Sequence, residues 1–312
     1  MDKKDKLILF ELLQDCRQSL SKIAKSVKLP QQTISYRITK LEKEKVIKKY
    51  TINDDYQKLG LNRHSLYLDL RGIKAEQVNE YLQTITNIDE VSCCYMLHNA
   101  SMWKIYVSVW TKTIGRYDEI QTKIITKFRK YIKNYLSFQG VRSYTYLAKR
   151  LNPQKKAKID IKEKMDDIKL NKIDWDIIKH LKNNSKISSV DLAHKLKTNV
   201  NSIIRRINSL KKKEIIERFY PILDMKKIGY TEYTFISRID PSYEKKISEF
   251  IEFTKQDPRF VIVIKAVGYV NLYYAFLSKD HDELGEITHK IESIFGNALL
   301  ETHKIEVDNM IS

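Results

Sequence analysis

The 312-residue chain is poor in the residues that punctuate or staple a fold. It has three cysteines, eight glycines and five prolines. Cys16, Cys93 and Cys94 are too few for a disulfide framework, and a cytoplasmic protein with reduced thiols is expected. Scarce glycine goes with the lack of any phosphate-cradling loop: neither G-x-G-x-x-G nor a P-loop occurs. Long apolar runs are missing too. The most apolar stretch, 260–277, is broken by Lys265, Gly268 and Asn271, and it reads as two strands and a turn rather than a membrane span. The N-terminal MDKKDKLILFELLQD carries charges where a signal peptide needs an apolar run. The seven histidines show no metal-ligand spacing. Cys93 and Cys94 point to opposite faces of an expected strand, so with His98 they supply one or two ligands at most. No metal, cofactor or catalytic group is expected.

What is abundant is positive charge. The formal net charge is +18, which predicts attraction to a polyanion, nucleic acid before anionic membrane. Apolar content of 42% and charged content of 31% suit a chain with real cores.

The chain also repeats itself. At an offset of 169, Asp5 meets Asp174, Leu12 meets Leu181, Ser19 meets Ser188, Ala24 meets Ala193, Arg37 meets Arg206, Leu41 meets Leu210 and Gly60 meets Gly229. Such ungapped matches over more than fifty residues make two copies of one unit. The expected division is 1–60, 61–150, a polar linker 151–169, then 170–229 and 230–312. Each copy opens with three helical stripes. Ser19 and Ser188 stand as N-caps, with Asp191 three residues after Ser188 in a capping-box pattern, and Pro30 stands where a helix can begin. IKKYTINDD and IERFYPILD then alternate like strands. Three helices and a β-ribbon are the parts of a winged helix-turn-helix. The remainder reads βαββαβ. In copy one the strands are 64–71, 90–98, 103–111 and near 141–148, with helices 75–85 and 115–136. In copy two the strands are 231–239, 259–266, 271–278 and 300–307, with helices 242–255 and 281–295. The fold class is therefore α+β: two tandem units, each a winged helix-turn-helix followed by a ferredoxin-like sandwich.

This order, and the run LILFELLQDCRQSLSKIAKSVKLPQQTISYRITKLEKEKVIKKYTI, resembles the Lrp/AsnC transcription regulators, in a tandem archaeal-type form. One departure is Lys45 and Glu214, which stand where the family usually has glycine after its third helix.

The third helices are the expected readers of double-stranded DNA. In 30–44, PQQTISYRITKLEKE, Ile34, Ile38 and Leu41 form a core stripe, and long hydrogen-bonding groups cover the opposite side. Amide and guanidinium groups match the donors and acceptors of purine edges in the major groove. The candidate contacts are Gln31, Gln32, Thr33, Ser35, Tyr36, Arg37 and Lys40 in copy one, with Arg37 and Lys40 at phosphate or guanine. In copy two they are Asn201, Ser202, Arg205, Arg206 and Ser209. Ile204 either meets a thymine methyl or belongs to the core. The copies differ here, so they are expected to read different sequences. Residues 1–60 carry net charge +6 and 170–229 carry +8, whereas 230–312 carry −5. Both heads thus suit phosphate, and the last domain does not.

The resemblance implies RAM-type sheet domains that assemble a homodimer and bind a small effector, typically an amino acid. The loop Gly268-Tyr269-Val270-Asn271 is similar to the family's G-x-x-D, whereas Ser101-Met102-Trp103-Lys104 is not. Gly268 and Asn271 are the candidate effector residues, or else they only shape a turn. Whether the two sheet domains pair within one chain or between chains is left open. Two other readings stand beside DNA regulation. One is a sirohaem decarboxylase-like enzyme, to which Met102-Trp103 is faintly similar and for which His98 and Lys104 are the local candidates. The other is an architectural protein that coats DNA.

Overall fold

A computed structural model describes residues 1–97, 102–146, 149–153, 159–162 and 166–307. The chain forms two compact units. One comprises 1–60, 147–157 and 164–229; the other comprises 61–146, 158–163 and 230–312. Each copy is split between them, so that like pairs with like.

The first unit holds both heads. Head one is α1 (Lys3–Gln14), α2 (Leu20–Val27), α3 (Gln31–Lys43) and β1 (Ile47–Asp54). Capping starts these helices as the residue types predict. Asp2 and Asp5 form a reciprocal capping box on α1, and the Ser19 hydroxyl accepts from the Lys22 amide at 3.3 Å. Ile8, Leu12, Ile23, Val27, Ile34, Ile38 and Leu41 are buried in the head.

The ribbon expected within each head does not form there. β1 pairs instead with the corresponding strand of head two, 216–223, to make a two-stranded antiparallel sheet. Thr51 faces Tyr220, Tyr50 faces Pro221 and Ile52 faces Phe219. Thr51 and Tyr220 are repeat equivalents, so a local twofold passes between them. Other contacts obey the same symmetry. The Cys16 amide donates to the Phe219 carbonyl at 2.8 Å, and the Ser185 amide donates to the Tyr50 carbonyl at 3.0 Å. Asp55 donates to Ile215 at 2.9 Å and Asp224 donates to Val46 at 2.8 Å. This is an isologous interface of the kind that joins symmetric dimers, built inside one polypeptide.

The second unit holds both βαββαβ domains. The first is β2 (Asn62–Leu70), α4 (Ala75–Ile85), β3 (Val91–Met96), β4 (Ile105–Thr111), α5 (Ile114–Phe128) and β5 (Ile132–Tyr146). Its strand order is β5-β2-β4-β3. Helix α5 stops eight residues short of the expected 136. Tyr131 and Ile132 lie at the edge of the helix-side core, Leu136 and Phe138 pack on the opposite face, and the alternation of β5 replaces helical spacing. The expected linker also contains a strand, β6 (Ile159–Lys162), paired antiparallel to the end of β5.

Head two follows as α6 (Lys172–Asn183), α7 (Ser189–Lys195), α8 (Val200–Lys212) and β7 (Ile216–Leu223). The second sheet domain comprises β8 (Thr231–Ile239), α9 (Glu244–Gln256), β9 (Phe260–Gly268), β10 (Leu272–Ser278), α10 (His281–Phe295) and β11 (Leu299–Val307), in order β11-β8-β10-β9. Edge strand β9 pairs with β5, so the two domains share one sheet within the chain.

That sheet curls. β4 and β11 lie six strand spacings apart along it, about 29 Å if it were flat. Yet the ring of Trp103, just before β4, is 5.5 Å from that of His303 on β11. The helix-free faces therefore pack on one another, with Tyr67, Tyr106, Leu136 and Phe138 of copy one clustered with Ile236, Ala266, Val270 and Ile305 of copy two.

Candidate nucleic-acid interface

Helices α3 and α8 each bury one stripe, Ile34-Ile38-Leu41 and Ile203-Ile207-Leu210, and turn the rest outward. Gln31, Gln32, Ser35, Tyr36 and Lys40 are exposed and Thr33 is half-buried. Tyr36 is 70% exposed, an unusual state for a large aromatic ring with no core role. On α8, Asn201, Arg205 and Ser209 are exposed and Ser202 is half-buried. Ile204 is 44% exposed, so it does not belong to the core.

The helix starts differ. Asn199 caps α8 by accepting from the Ser202 amide at 2.7 Å. Pro30 precedes α3 and offers no side-chain cap, which leaves the first-turn amides of α3 without one. Both helices end alike. Lys45 has φ 54° and Glu214 φ 57°, so each takes up the left-handed turn that glycine would make without strain.

Arg37 and Arg206 stand apart from the rest. The Arg37 Nη1 donates to Asp2 and to Asp5, each at 2.7 Å. Arg206 Nη1 donates to Asp174 at 2.9 Å and to Asn171 at 3.3 Å. Both guanidinium groups are thus held on the capping box of their own head's first helix. The hydrogen bonds to Asp2 and Asp5 raise the pKa of the Arg37 guanidinium. Arg37 was expected at phosphate or guanine, and spacing alone does not reveal that a carboxylate 32 residues upstream faces each of these arginines.

A groove of about 530 Å³ runs beside α8, lined by Lys169, Asn171, Asp174, Arg205, Ser209 and Lys213 among others. Lys169 and Lys213 were not among the expected contacts. The signal for Lys213 was the basic run 211–213 at the end of α8, which the helical stripe excluded, whereas Lys169 lies in the segment before α6 and had none.

The head junction fixes how α3 and α8 are held relative to each other. Arg17 Nε donates to the Ser185 carbonyl at 2.5 Å and its Nη2 to Ile187 at 3.0 Å, while the guanidinium lies 4.3 Å from the Phe219 ring. Lys182 bridges to Asp54 at 3.1 Å and donates to the Tyr56 hydroxyl at 2.9 Å.

The candidate effector residues have other work. Gly268, at φ +141°, lies where a Cβ would meet the Ser137 carbonyl at 3.1 Å and Phe138 at 3.2 Å, so it admits the close approach of β5 to β9. The Asn271 amide donates to the Ile239 carbonyl at 2.7 Å and accepts from the Ile239 amide at 2.8 Å. Both ends of that side chain are spent on the end of β8, which matches the turn-shaping alternative. Cys94 is buried on the helix side of its sheet and Cys93 is half-buried on the other. His98 and Ser101 lie outside the described residues. Among the described residues no group of three or more potential metal ligands comes together, and no helix is long and apolar enough to cross a membrane.

Known proteins match this arrangement at two levels. A family model for winged helix-turn-helix DNA-binding domains matches residues 1–48 and again 170–217. An HTH-type transcriptional regulator of Pyrococcus abyssi is 33% identical over 152 residues, which covers 98% of that protein and 45% of this chain. The regulator LrpC of Bacillus subtilis is 28% identical over 109 residues, 74% of its length and 35% of this chain. The relative's whole length thus corresponds to one copy here. The crystal structure of the siroheme decarboxylase NirDL superposes with TM-score 0.61 and 13% identity over 99% of this chain and 91% of that one, a likeness of fold.

Proposed function

The chain belongs to the Lrp/AsnC-type winged helix-turn-helix transcriptional regulators, with two copies in one polypeptide, and we propose that one chain grips one duplex with α3 and α8 in the major groove. In this reading Gln31, Gln32, Thr33, Ser35 and Tyr36 face base edges in one half-site and Lys40 faces phosphate. Asn201, Ser202 and Arg205 read the other half-site, with Ser209 at its edge and the Ile204 side chain against a thymine methyl. Arg37 and Arg206 brace the reading helices on α1 and α6 rather than touching bases. The protein acts by binding and not by catalysis.

The observation that carries this reading is the reciprocal set of contacts around Thr51 and Tyr220. A twofold between heads presents α3 and α8 to DNA in opposite senses. The side chains they expose differ, so the site is an inverted repeat of two unlike halves. The homodimer implied by the family resemblance would need other surfaces, because the helix-free sheet faces already cover each other within the chain.

Selection from random duplexes tests the proposal. The expected product is two dissimilar half-sites in inverted order, bound with an affinity that falls steeply with salt. A perfect palindrome, or equal affinity for random and selected DNA at matched salt, would sink it; the latter result is the mark of an architectural coat.

A further inference from the structure

Three cations of head two have nothing to pair with. Lys169, Arg205 and Lys213 are exposed, and their side chains make no ion pair or hydrogen bond among the described residues. All three line the groove beside α8. Arg205, Ser209 and Lys213 follow one another at four-residue steps, so they form a single stripe down that helix and its C-cap. Lys169 meets the stripe from the segment before α6. The other charges of the groove cancel. Arg206 is held on Asp174 at 2.9 Å, and its second partner, Asn171, is neutral.

Head one keeps the bracing arginine and loses the charge. Asp2 stands in the place of Asn171, so Arg37 meets two carboxylates where Arg206 meets one. Tyr36 stands for Arg205 and Glu44 for Lys213. Lys40, in the place of Ser209, lies 3.8 Å from Glu44. The matching side chains of head one therefore hold two cations, Arg37 and Lys40, against three carboxylates, Asp2, Asp5 and Glu44. A lone surface lysine is ordinary. Free cations along one groove beside the reading stripe, with a carboxylate at the matching place in the other copy, divide the heads electrostatically.

We propose that head two anchors the chain on the phosphate backbone through Lys169 and Lys213, while head one supplies sequence discrimination with little anchoring. This rests on the reading of α3 and α8 as major-groove helices, in which Arg205 keeps its place at a base edge. A lysine ammonium is a point charge that holds phosphate without reading sequence. The attraction of head two draws it to any duplex first, and Gln31, Gln32 and Tyr36 of head one then test the bases.

Fluorescence anisotropy of the full chain, across a potassium chloride series, tests the division. One duplex has random sequence and the other is the product of the selection described above. Lys169→Gln with Lys213→Gln should reduce the slope of log affinity against log salt by about two. Binding at roughly 0.1 M salt should weaken about tenfold or more, and equally on both duplexes. Lys40→Gln with Lys43→Gln removes the same charge from head one and should reduce the slope by about one at most. Lys245→Gln with Lys279→Gln removes it from exposed sites of the acidic last domain and should leave the slope unchanged. An unchanged slope in the Lys169 and Lys213 variant, a loss confined to the selected duplex, or an equal loss from the head-one pair would overturn the proposal. The two readings fail separately. A wild type with a flat salt response removes the DNA reading and the anchor with it, whereas a steep wild type matched by the Lys169 and Lys213 variant removes the anchor alone.

Discussion

If the heads are joined by a twofold inside the chain, the repeat equivalents Cys16 and Ser185 must stay together in solution. The Cys16 Sγ lies 3.5 Å from the Ser185 Oγ. Ser185→Cys places a second sulfur there, and a modest rotamer change brings the pair to bonding distance. The bond would close a loop of 169 residues. Loop-closure entropy for such a ring is worth about 5 kcal/mol, less whatever strain the junction imposes. An increase of half that amount or more raises the melting temperature by roughly 5–15 °C. Burial raises the pKa of the Cys16 thiol, so little thiolate is present at neutral pH and the oxidation should be run above pH 8. Thiol titration then finds two of the four thiols consumed, and non-reducing electrophoresis finds a faster monomer band. The oxidised protein should keep its DNA affinity, because the junction that positions α3 and α8 is the one the bond locks. Failure of the pair to oxidise while Cys93 and Cys94 stay reduced would refute the head junction. An oxidised form that melts higher but has lost DNA binding would show that the heads must separate to bind.

Two further predictions concern stability. Lys45→Gly and Glu214→Gly each relieve a side chain held at positive φ and should add roughly 0.5–1 kcal/mol by denaturant titration, with the smaller gain at Glu214, whose surface contact to Lys58 at 3.6 Å is lost. A pH effect should come from His64, which is buried and stacked on Tyr117 at 4.0 Å, and whose pKa burial lowers from 6.5 to about 4. The unfolded chain takes up this proton below pH 6.5 while the native state resists it. Stability present above pH 6.5 is therefore lost as pH falls towards 4, by up to about 3 kcal/mol. His64→Phe should flatten that limb of the stability profile; an unchanged profile would show that folding does not shift the imidazole pKa.

Much of the fold could be read because its periods are strong. α4 and α10 stand at 75–85 and 281–295, as apolar spacing and flanking turns require. The overrun of α5 has a local cause: RKYIKNYL suits either period, and only packing on both sheet faces turns 132–136 into strand. The exposed faces of α3 and α8 were legible from their core stripes. The bracing of Arg37 was not, because a stripe says which way a guanidinium starts and not which carboxylate meets it. For Asn271 a four-residue pattern left two readings, an effector contact or a turn-shaper, and only the structure shows its amide spanning the Ile239 backbone at the end of β8.

The repeat itself contained more than it disclosed. Near a twofold axis, equivalent residues are neighbours, so a table of pairs at offset 169 is also a table of contacts for whichever positions lie near the axis. Cys16–Ser185 and Thr51–Tyr220 are such pairs in the heads. Alignment alone treats these mismatches as drift. On an axis they are the places where duplication allows asymmetry, since a single-copy homodimer must put the same residue on both sides. A thiol beside a hydroxyl at equivalent positions is an arrangement that a homodimer of one copy cannot make. The head junction therefore departs from a symmetric pair, as do the unlike exposed faces of α3 and α8. Substitutions at the junction and on the two helix faces should therefore separate folding from DNA reading.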